Sequence, residues 1–457
     1  IGQLDAELFN HFANRVILDR SLTRQVVSFQ ANKKRPSYRW YKYKEAFSVD
    51  LVESLLERFD ISKGKILDPF AGTGTTLFAT TDLGFDADGI ELLPIGQEIV
   101  NTRIICQKGL SNKELSRLEA WQSEHLWKKK ESQEPLNTLR ITAGAYPKKI
   151  EENIRNFLLT IKAENPRIRT LLRFALLCVL ESVSYTRKDG QYLRWDCRSG
   201  RRKGKNTFDK GAILAFDDAI SSKLSEILSD LKKERVQTEL FDNNSKRKYG
   251  IVNLIGGSCL TEMPKLKSDQ YSAIITSPPY CNRYDYTRTY ALEHALLGIG
   301  ESELIDLRQQ MLSCTVENRE KELISSHKEW ENTLENCGRN ELLQSIISYL
   351  NLKKEKKELN NSGIPRMVKG YFYEMACVIQ ECYRVMKSSG QLFMVNDNVR
   401  YAGASISVDL ILCQIAEEVG FHIENILVLP QNKGNSSQQM GVHGRDALRK
   451  SVYVWKK

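Results

Sequence analysis

Apolar positions recur at helical spacing over Glu45 to Phe59, where Phe47, Leu51, Leu55 and Leu56 fall on one face. Ile66-Leu67 then reads as a short strand, running into the turn Asp68-Pro69-Phe70-Ala71-Gly72-Thr73-Gly74-Thr75-Thr76. A helix should follow, and after it a second strand through Asp86-Ala87-Asp88-Gly89-Ile90, closed by Glu91. Strand, glycine turn, helix and a strand with an acidic end make half of a nucleotide-binding βαβ unit. From about 105 to 245 the pattern changes to long amphipathic helices, such as Ile168 to Val183, separated by polar basic loops. Strand patterns resume at Ile251–Ile255 and Ser272–Thr276. A second helical and highly charged stretch, 301–365, ends in the breaker cluster Asn360-Asn361-Ser362-Gly363-Ile364-Pro365. After it the spacing predicts a helix from Tyr373 to Met386, a stop at Ser388-Ser389-Gly390 and a strand from Gln391 to Val395. A helix from Val408 to Val419 and strands near Ile426–Leu429 and Ser451–Trp455 complete the series.

Because the alternation restarts after each helical stretch, one α/β sheet carrying two inserts fits better than three separate domains. The expected division is 1–104, 246–300 and 366–457 for the sheet, interrupted by a basic helical insert at 105–245 and a second at 301–365. A Rossmann-like sheet with helices on both faces is the fold class implied.

Composition narrows the function. The 457 residues are 41% hydrophobic and 9% aromatic, enough for a real core. No apolar run approaches the ~18 residues of a membrane span, and the N-terminus shows neither a basic start nor an apolar run, so a cytoplasmic protein is expected. Ten scattered cysteines and six separated histidines form no metal-ligand spacing, so no metal is expected. The net charge of +10 is unevenly spread. Arg187, Lys188, Arg194, Arg198, Arg201, Arg202, Lys203, Lys205 and Lys210 lie within one short stretch, interleaved with Tyr185, Tyr192 and Trp195. Basic side chains among aromatics suit phosphate contact and stacking; the plain alternative is a solvated loop with its aromatics tucked inward. The polar tract Gln431–Gln439 is a weaker candidate of the same kind.

Two segments carry chemistry. In Asp68–Thr76 the paired glycines allow a tight turn against which a ligand can lie, and the next helix offers free N–H groups. Thr75-Thr76 stand where a phosphate-binding loop needs Lys and Ser or Thr, so a neutral loop led by Asp68 suits an ammonium group instead. Glu91, at a strand tip, can accept hydrogen bonds from two ribose hydroxyls. In Thr276-Ser277-Pro278-Pro279-Tyr280, two prolines after a strand stiffen the backbone and remove two donors. A fixed carbonyl beside a hydroxyl can hold an exocyclic NH₂ by both hydrogens, with Tyr280 as a stacking face.

Together, Asp68-Pro69-Phe70-Ala71-Gly72-Thr73-Gly74 and Ser277-Pro278-Pro279-Tyr280 resemble the cofactor and catalytic motifs of S-adenosylmethionine-dependent DNA amino-methyltransferases. The leading Ser resembles the cytosine-N4 branch. The likeness extends to Trp40 through Ser48, to Glu91 and to the last strand. It implies S-adenosylmethionine held by Phe47, Ser48, Asp68, Phe70, Gly72, Thr73, Gly74, Thr75, Glu91 and Ser258, where Ser258 replaces an acidic residue frequent in the family. It implies catalysis by Ser277, Pro278, Pro279 and Tyr280, with Tyr284, Asp285 and Tyr286 as candidates for the base pocket. The motif order resembles the class with target recognition inserted between, placing Arg187, Lys188, Tyr192, Arg194, Trp195, Arg198, Arg201, Arg202 and Lys203 on double-stranded DNA. The role implied is modification in a restriction-modification system, beside a cognate endonuclease. Cys281 reads as incidental, since an amino nitrogen needs no covalent activation. Adenine-N6 methylation, an RNA amino-methyltransferase and a non-catalytic nucleic-acid-binding scaffold are the alternatives.

Overall fold

The structure is a computed structural model that describes residues 1–189, 192–201, 207–241 (backbone only from 236), 249–430 and 448–457. Its strands are β1 (Val16–Leu18), β2 (Lys65–Asp68), β3 (Asp86–Glu91), β4 (Thr186–Lys188), β5 (Leu193–Trp195), β6 (Val252–Gly256), β7 (Tyr271–Thr276), β8 (Met386–Asp397), β9 (Val399–Tyr401), β10 (Ala404–Ile406), β11 (His422–Val428) and β12 (Lys450–Lys456). Eight form one sheet in the order β1-β11-β12-β8-β7-β2-β3-β6, parallel apart from β12, which runs against both neighbours. β4–β5 and β9–β10 are separate hairpins.

Side chains alternate across this sheet as its pleat requires. Ile274, Leu392, Met394, Tyr453 and Trp455 pack under helices Ile364–Val385 and Val408–Val419. Their neighbours Ala273, Ile275, Phe393, Val395, Val452 and Val454 face the opposite layer, with helices Val49–Arg58 and Thr75–Asp82. Both faces are therefore covered, as a mainly parallel sheet demands. From β2 the chain steps outward to β3 and β6, then returns to β7 on the other flank of β2 and continues to β8. The order reverses between β2 and β7, and open α/β sheets bind ligands at the carboxyl ends of the strands at such a switch.

The first helical stretch builds its own core around Trp121, Trp127, Phe157 and Phe216. Three indoles of this core are given a carboxylate: Trp121 donates to Glu164 (2.8 Å), Trp127 to Asp217 (3.0 Å) and Trp40, from the segment before the glycine turn, to Asp230 (2.9 Å). A buried N–H left without such an acceptor would be costly. Helix Glu301–Gln310 packs into this same core through Leu304 and Leu307, whereas Trp330 to Leu350 packs beneath the sheet.

Three element boundaries differ from expectation, each for a local reason. The helix expected from Glu45 starts at Val49, because Ser48 caps it, accepting from the Leu51 amide. The helix expected from Tyr373 starts at Ile364, since Pro365 sits in its first turn where no N–H is needed. Ser388-Ser389-Gly390, expected as the stop after that helix and before a strand from Gln391, lies past the helix end at Val385 and inside β8, where it forms a bulge. Ser389 takes a left-handed φ of 68°, and pairing with β7 jumps from Tyr271↔Met386 to Ala273↔Gln391.

Candidate active site

β2 delivers Asp68 and β7 delivers Thr276 to adjacent positions at the switch point. Thr276 Oγ1 donates to Asp68 Oδ1 (2.6 Å), and Thr76, the second residue of the following helix, donates to the Ile275 carbonyl (3.1 Å). The glycine turn and the diproline corner are thus stitched together across the sheet. Gly72 and Gly74 have φ of 54° and 77°, which L side chains rarely adopt. The turn is held from β3: Glu91 Oε2 accepts the Gly72 amide (2.6 Å) and Oε1 the Leu93 amide (2.7 Å). Nor is there room for a side chain at Gly96, where a Cβ would lie 2.7 Å from both Glu91 Cγ and the Gly72 carbonyl.

Between these elements lies one cavity of about 360 Å³. Its wall includes Phe47, Asp68, Phe70, Gly72, Thr73, Thr75, Glu91 and Ser258 from one group of sequence candidates, and Ser277, Pro278, Pro279 and Tyr280 from the other. Two carboxylates line it in near-complete burial, Asp68 at 2% exposure and Glu91 at 8%. Burial raises Asp68 to about 6 against the hydrogen bonds from Thr276 and Phe70, and raises Glu91 to about 7 against those from Leu93 and Gly72. Ser277 Oγ lies 3.2 Å from both the Tyr280 hydroxyl and the Val395 carbonyl.

The N6/N4 DNA methylase family matches residues 20–101, the span that holds the glycine turn and Glu91. Type II methyltransferase M.AvaI of Nostoc sp. is 56% identical over 458 residues, covering 100% of this chain and 94% of its own length, and the M.AvaI of Anabaena variabilis matches equally. Type II methyltransferase M.BsoBI of Geobacillus stearothermophilus is 40% identical over 466 residues, covering 96% and 89%. The chain is a Type II DNA methyltransferase. Its methyl donor is S-adenosylmethionine.

The cavity fits that donor. Each oxygen of Glu91 spends one lone pair on a backbone amide and keeps another, so a diol can still be held. Asp68 provides an anionic partner for an ammonium, and Phe47, Ile90, Leu93, Met311 and Leu312 supply apolar wall. Two cofactor candidates lie elsewhere. Ser48 is fully buried away from the cavity, donating to the Val26 carbonyl (2.6 Å) and capping its helix. Gly74 stands behind the turn, where a Cβ would lie 2.9 Å from the Phe78 ring and 3.0 Å from Val100.

Several wall residues of the methyltransferase lie outside the glycine turn and the diproline corner. Tyr43 stacks on Tyr290 (5.0 Å, 10°), and Glu45 accepts from the hydroxyls of Tyr284 and Tyr290. Tyr284 and Tyr286 reach the cavity, but Asp285 points away, capping helix Tyr286–Thr289 and pairing with Arg308 (3.1 Å). Gln310, Met311 and Leu312 come from the second helical stretch, and Ser258 Oγ donates to the Gln310 carbonyl (2.8 Å). Asp397, at the tip of β8, also lines the wall. Cys281 is fully buried, and burial pushes its thiol up, keeping it protonated. Among the described residues no group of three His, Cys, Asp or Glu side chains could hold a metal ion, and no helix is long and apolar enough to cross a membrane.

The basic stretch divides in two. Arg187, Tyr192 and Arg194 lie on the exposed face of the β4–β5 hairpin, Tyr192 being 52% exposed, with the Arg194 guanidinium over the Phe208 ring (4.0 Å) and 3.9 Å from Asp189. Arg198 is exposed but chelated by Asp196 through Nε (2.7 Å) and Nη2 (2.8 Å). Lys188 and Trp195 correct the sequence reading, for both side chains of the strands point inward. Lys188, at 7% exposure, pairs with Glu293 (2.5 Å) and donates to Tyr41 (3.1 Å). Trp195 is buried under the Arg201 guanidinium (4.3 Å), and Arg201 also donates to the Arg140 carbonyl (2.9 Å). Lys210 turns inward too, donating to the Ser184 (2.6 Å) and Thr186 (2.9 Å) carbonyls, and burial lowers it to about 8. Arg202, Lys203, Lys205 and the tract Gln431–Gln439 lie outside the described residues.

Proposed function

We propose that this methyltransferase modifies the exocyclic N4 amino group of cytosine in duplex DNA, as the modification partner of a restriction endonuclease in a bacterial cytoplasm. The observation that carries the reading is that Ser277 and the Pro278-Pro279 corner share one cavity with Asp68 and Glu91. S-adenosylmethionine, when bound, supplies a methyl carbon made electrophilic by its sulfonium. The chain's task is to present the amine. An aryl amine's lone pair is delocalised into its ring, and accepting both amine hydrogens, at Ser277 Oγ and the Pro278 carbonyl, draws the nitrogen toward tetrahedral geometry. The nitrogen's surplus proton is released to solvent once the new bond has formed. Tyr280 gives the extruded base a stacking face, with Tyr284 and Tyr286 closing the pocket, because the target atom is out of reach inside a duplex. Residues 105–245 form the DNA-reading part, with Arg187, Tyr192 and Arg194 as its phosphate and stacking contacts.

Ser277→Ala is expected to lower the turnover number on the order of a hundredfold or more, the loss typical of one preorganised polar group, while calorimetry gives a parental dissociation constant for S-adenosylmethionine. Methylation at the parental rate would overturn the assignment. The leading Ser favours cytosine over the adenine-N6 reading that shares this geometry. Nucleoside mass spectrometry of digested product DNA separates the two, N4-methylcytosine being the expected product.

A further inference from the structure

Lys450 opens β12 beside the diproline corner. Its ammonium lies 3.2 Å from the Tyr280 hydroxyl oxygen, 5.0 Å from the centre of the Tyr280 ring and 2.9 Å from Asp397 Oδ1. Asp397 lines the cavity wall, so this ion pair is part of the site and not a remote surface contact. The Tyr280 hydroxyl also touches Ser277 Oγ, which touches the Val395 carbonyl, each at 3.2 Å.

An ammonium has three donors and no acceptor, and a carbonyl is acceptor only. Lys450 Nζ and Ser277 Oγ both donate to the Tyr280 hydroxyl oxygen, and Ser277 Oγ has the Val395 carbonyl as its second acceptor. The single Ser277 hydrogen is thus drawn to acceptors on the wall, and a lone pair of its oxygen is left for the cavity. We propose that Lys450, itself held by Asp397, is a positioning residue that fixes the Tyr280 hydroxyl oxygen as an acceptor for Ser277 and so keeps Ser277 an acceptor toward the amine of the target base. This inference rests on the acceptor role of Ser277 proposed above. Without the ammonium the Tyr280 hydroxyl can turn its own hydrogen onto Ser277 and occupy the lone pair that must receive an amine hydrogen. The Tyr280 ring would also lose the contact that fixes its tilt.

The test is steady-state and single-turnover methylation of plasmid DNA with labelled S-adenosylmethionine, on the full chain. Lys450→Met is expected to lower the turnover number on the order of tenfold, the worth of one directed hydrogen bond, with the KM for S-adenosylmethionine and the salt dependence of DNA binding both parental. Lys450→Arg, also a donor only, restores most of the rate. Tyr280→Phe removes the middle link, so adding Lys450→Met to it costs nothing further. The double variant Lys450→Met/Asp397→Asn removes the unpaired carboxylate, and is expected to match Lys450→Met in rate with a parental melting temperature. Parental turnover in both Lys450→Met backgrounds, multiplicative losses with Tyr280→Phe, or a shallower salt dependence pointing to a phosphate contact would each overturn the proposal. Ser277→Ala, assayed in parallel, separates the levels. If it is inactive while Lys450→Met is parental, only the positioning role falls; if it is fully active, the acceptor reading falls first.

Discussion

Replacing Glu91 by Ala separates the two duties of that carboxylate. In the fold, Glu91 accepts the Gly72 and Leu93 amides; in the proposed function it also accepts two ribose hydroxyls. Burial raises it from 4.5 to about 7, which means that its ionised form is held at a cost of about 3 kcal/mol. The sign follows: this carboxyl favours folding at low pH, and that contribution is lost as pH rises from 4.5 through 7. At pH 8, Glu91→Ala therefore removes that cost, which already includes the extra worth of the two amide bonds to the charged form, while losing what those bonds are worth to a neutral acceptor, roughly 0.5–1.5 kcal/mol each. The two terms largely offset, and thermal melting is expected to show a change of no more than about 2 kcal/mol. Affinity has no such offset. Losing the hydroxyl contacts should weaken S-adenosylmethionine on the order of a hundredfold, measured by isothermal titration calorimetry at pH 8. The parental protein carries an internal control, because Glu91 passes from mostly ionised to mostly protonated between pH 8 and 6, so its dissociation constant should rise roughly tenfold over that interval. In Glu91→Ala the rise over the same interval should vanish, leaving a weaker dependence centred near 6 from Asp68. A variant that binds within about threefold of the parent at pH 8, or keeps the parental pH dependence, would refute the ribose role.

Other expectations follow from the same geometry. Gly96→Ala, though it does not line the cavity, should destabilise by roughly 1–3 kcal/mol and weaken S-adenosylmethionine, because its Cβ is forced against Glu91 and the Gly72 carbonyl; parental melting and calorimetry together would contradict this. Arg187→Ala and Arg194→Ala should each reduce the slope of log affinity against log salt for plasmid DNA by about 1, read by filter binding. Lys188→Met should leave that slope unchanged and instead cost about 3–5 kcal/mol in denaturant unfolding, since Glu293 would be left buried without its cation.

The sheet and the two motifs were legible because their signals are local. A strand ending in Asp68 and a turn with two glycines, or a strand ending in two prolines, are written within ten residues. That both would meet in one crevice follows from the reversal between β2 and β7, a property of strand order that no short window contains. What remained hidden depends on distant partners. A basic run looks the same whether a lysine faces DNA or, like Lys188, a glutamate 105 residues further on. Period-two alternation in β4 and β5 could have flagged Lys188 and Trp195 as inward, since Arg187 and Arg194 take the outward positions between. Ser48 followed a family likeness to the cofactor, whereas its place immediately before an apolar helical run already marked it as a cap. Lys450 and Asp397 meet Tyr280 only because β12 is inserted antiparallel beside β8.

The buried Lys188–Glu293 pair joins the β4–β5 hairpin to helix Ala291–Leu296, which follows the diproline corner by little more than ten residues. The arm and the pocket are thereby parts of one rigid jig. If the arm reads DNA as proposed, the methylated nucleotide must lie at a constant offset from the sequence it reads, set by protein geometry and not by the length of a tether. Transplanting the hairpin alone between relatives would therefore sever the gauge, and a working graft must carry the helix bearing Glu293 along with it.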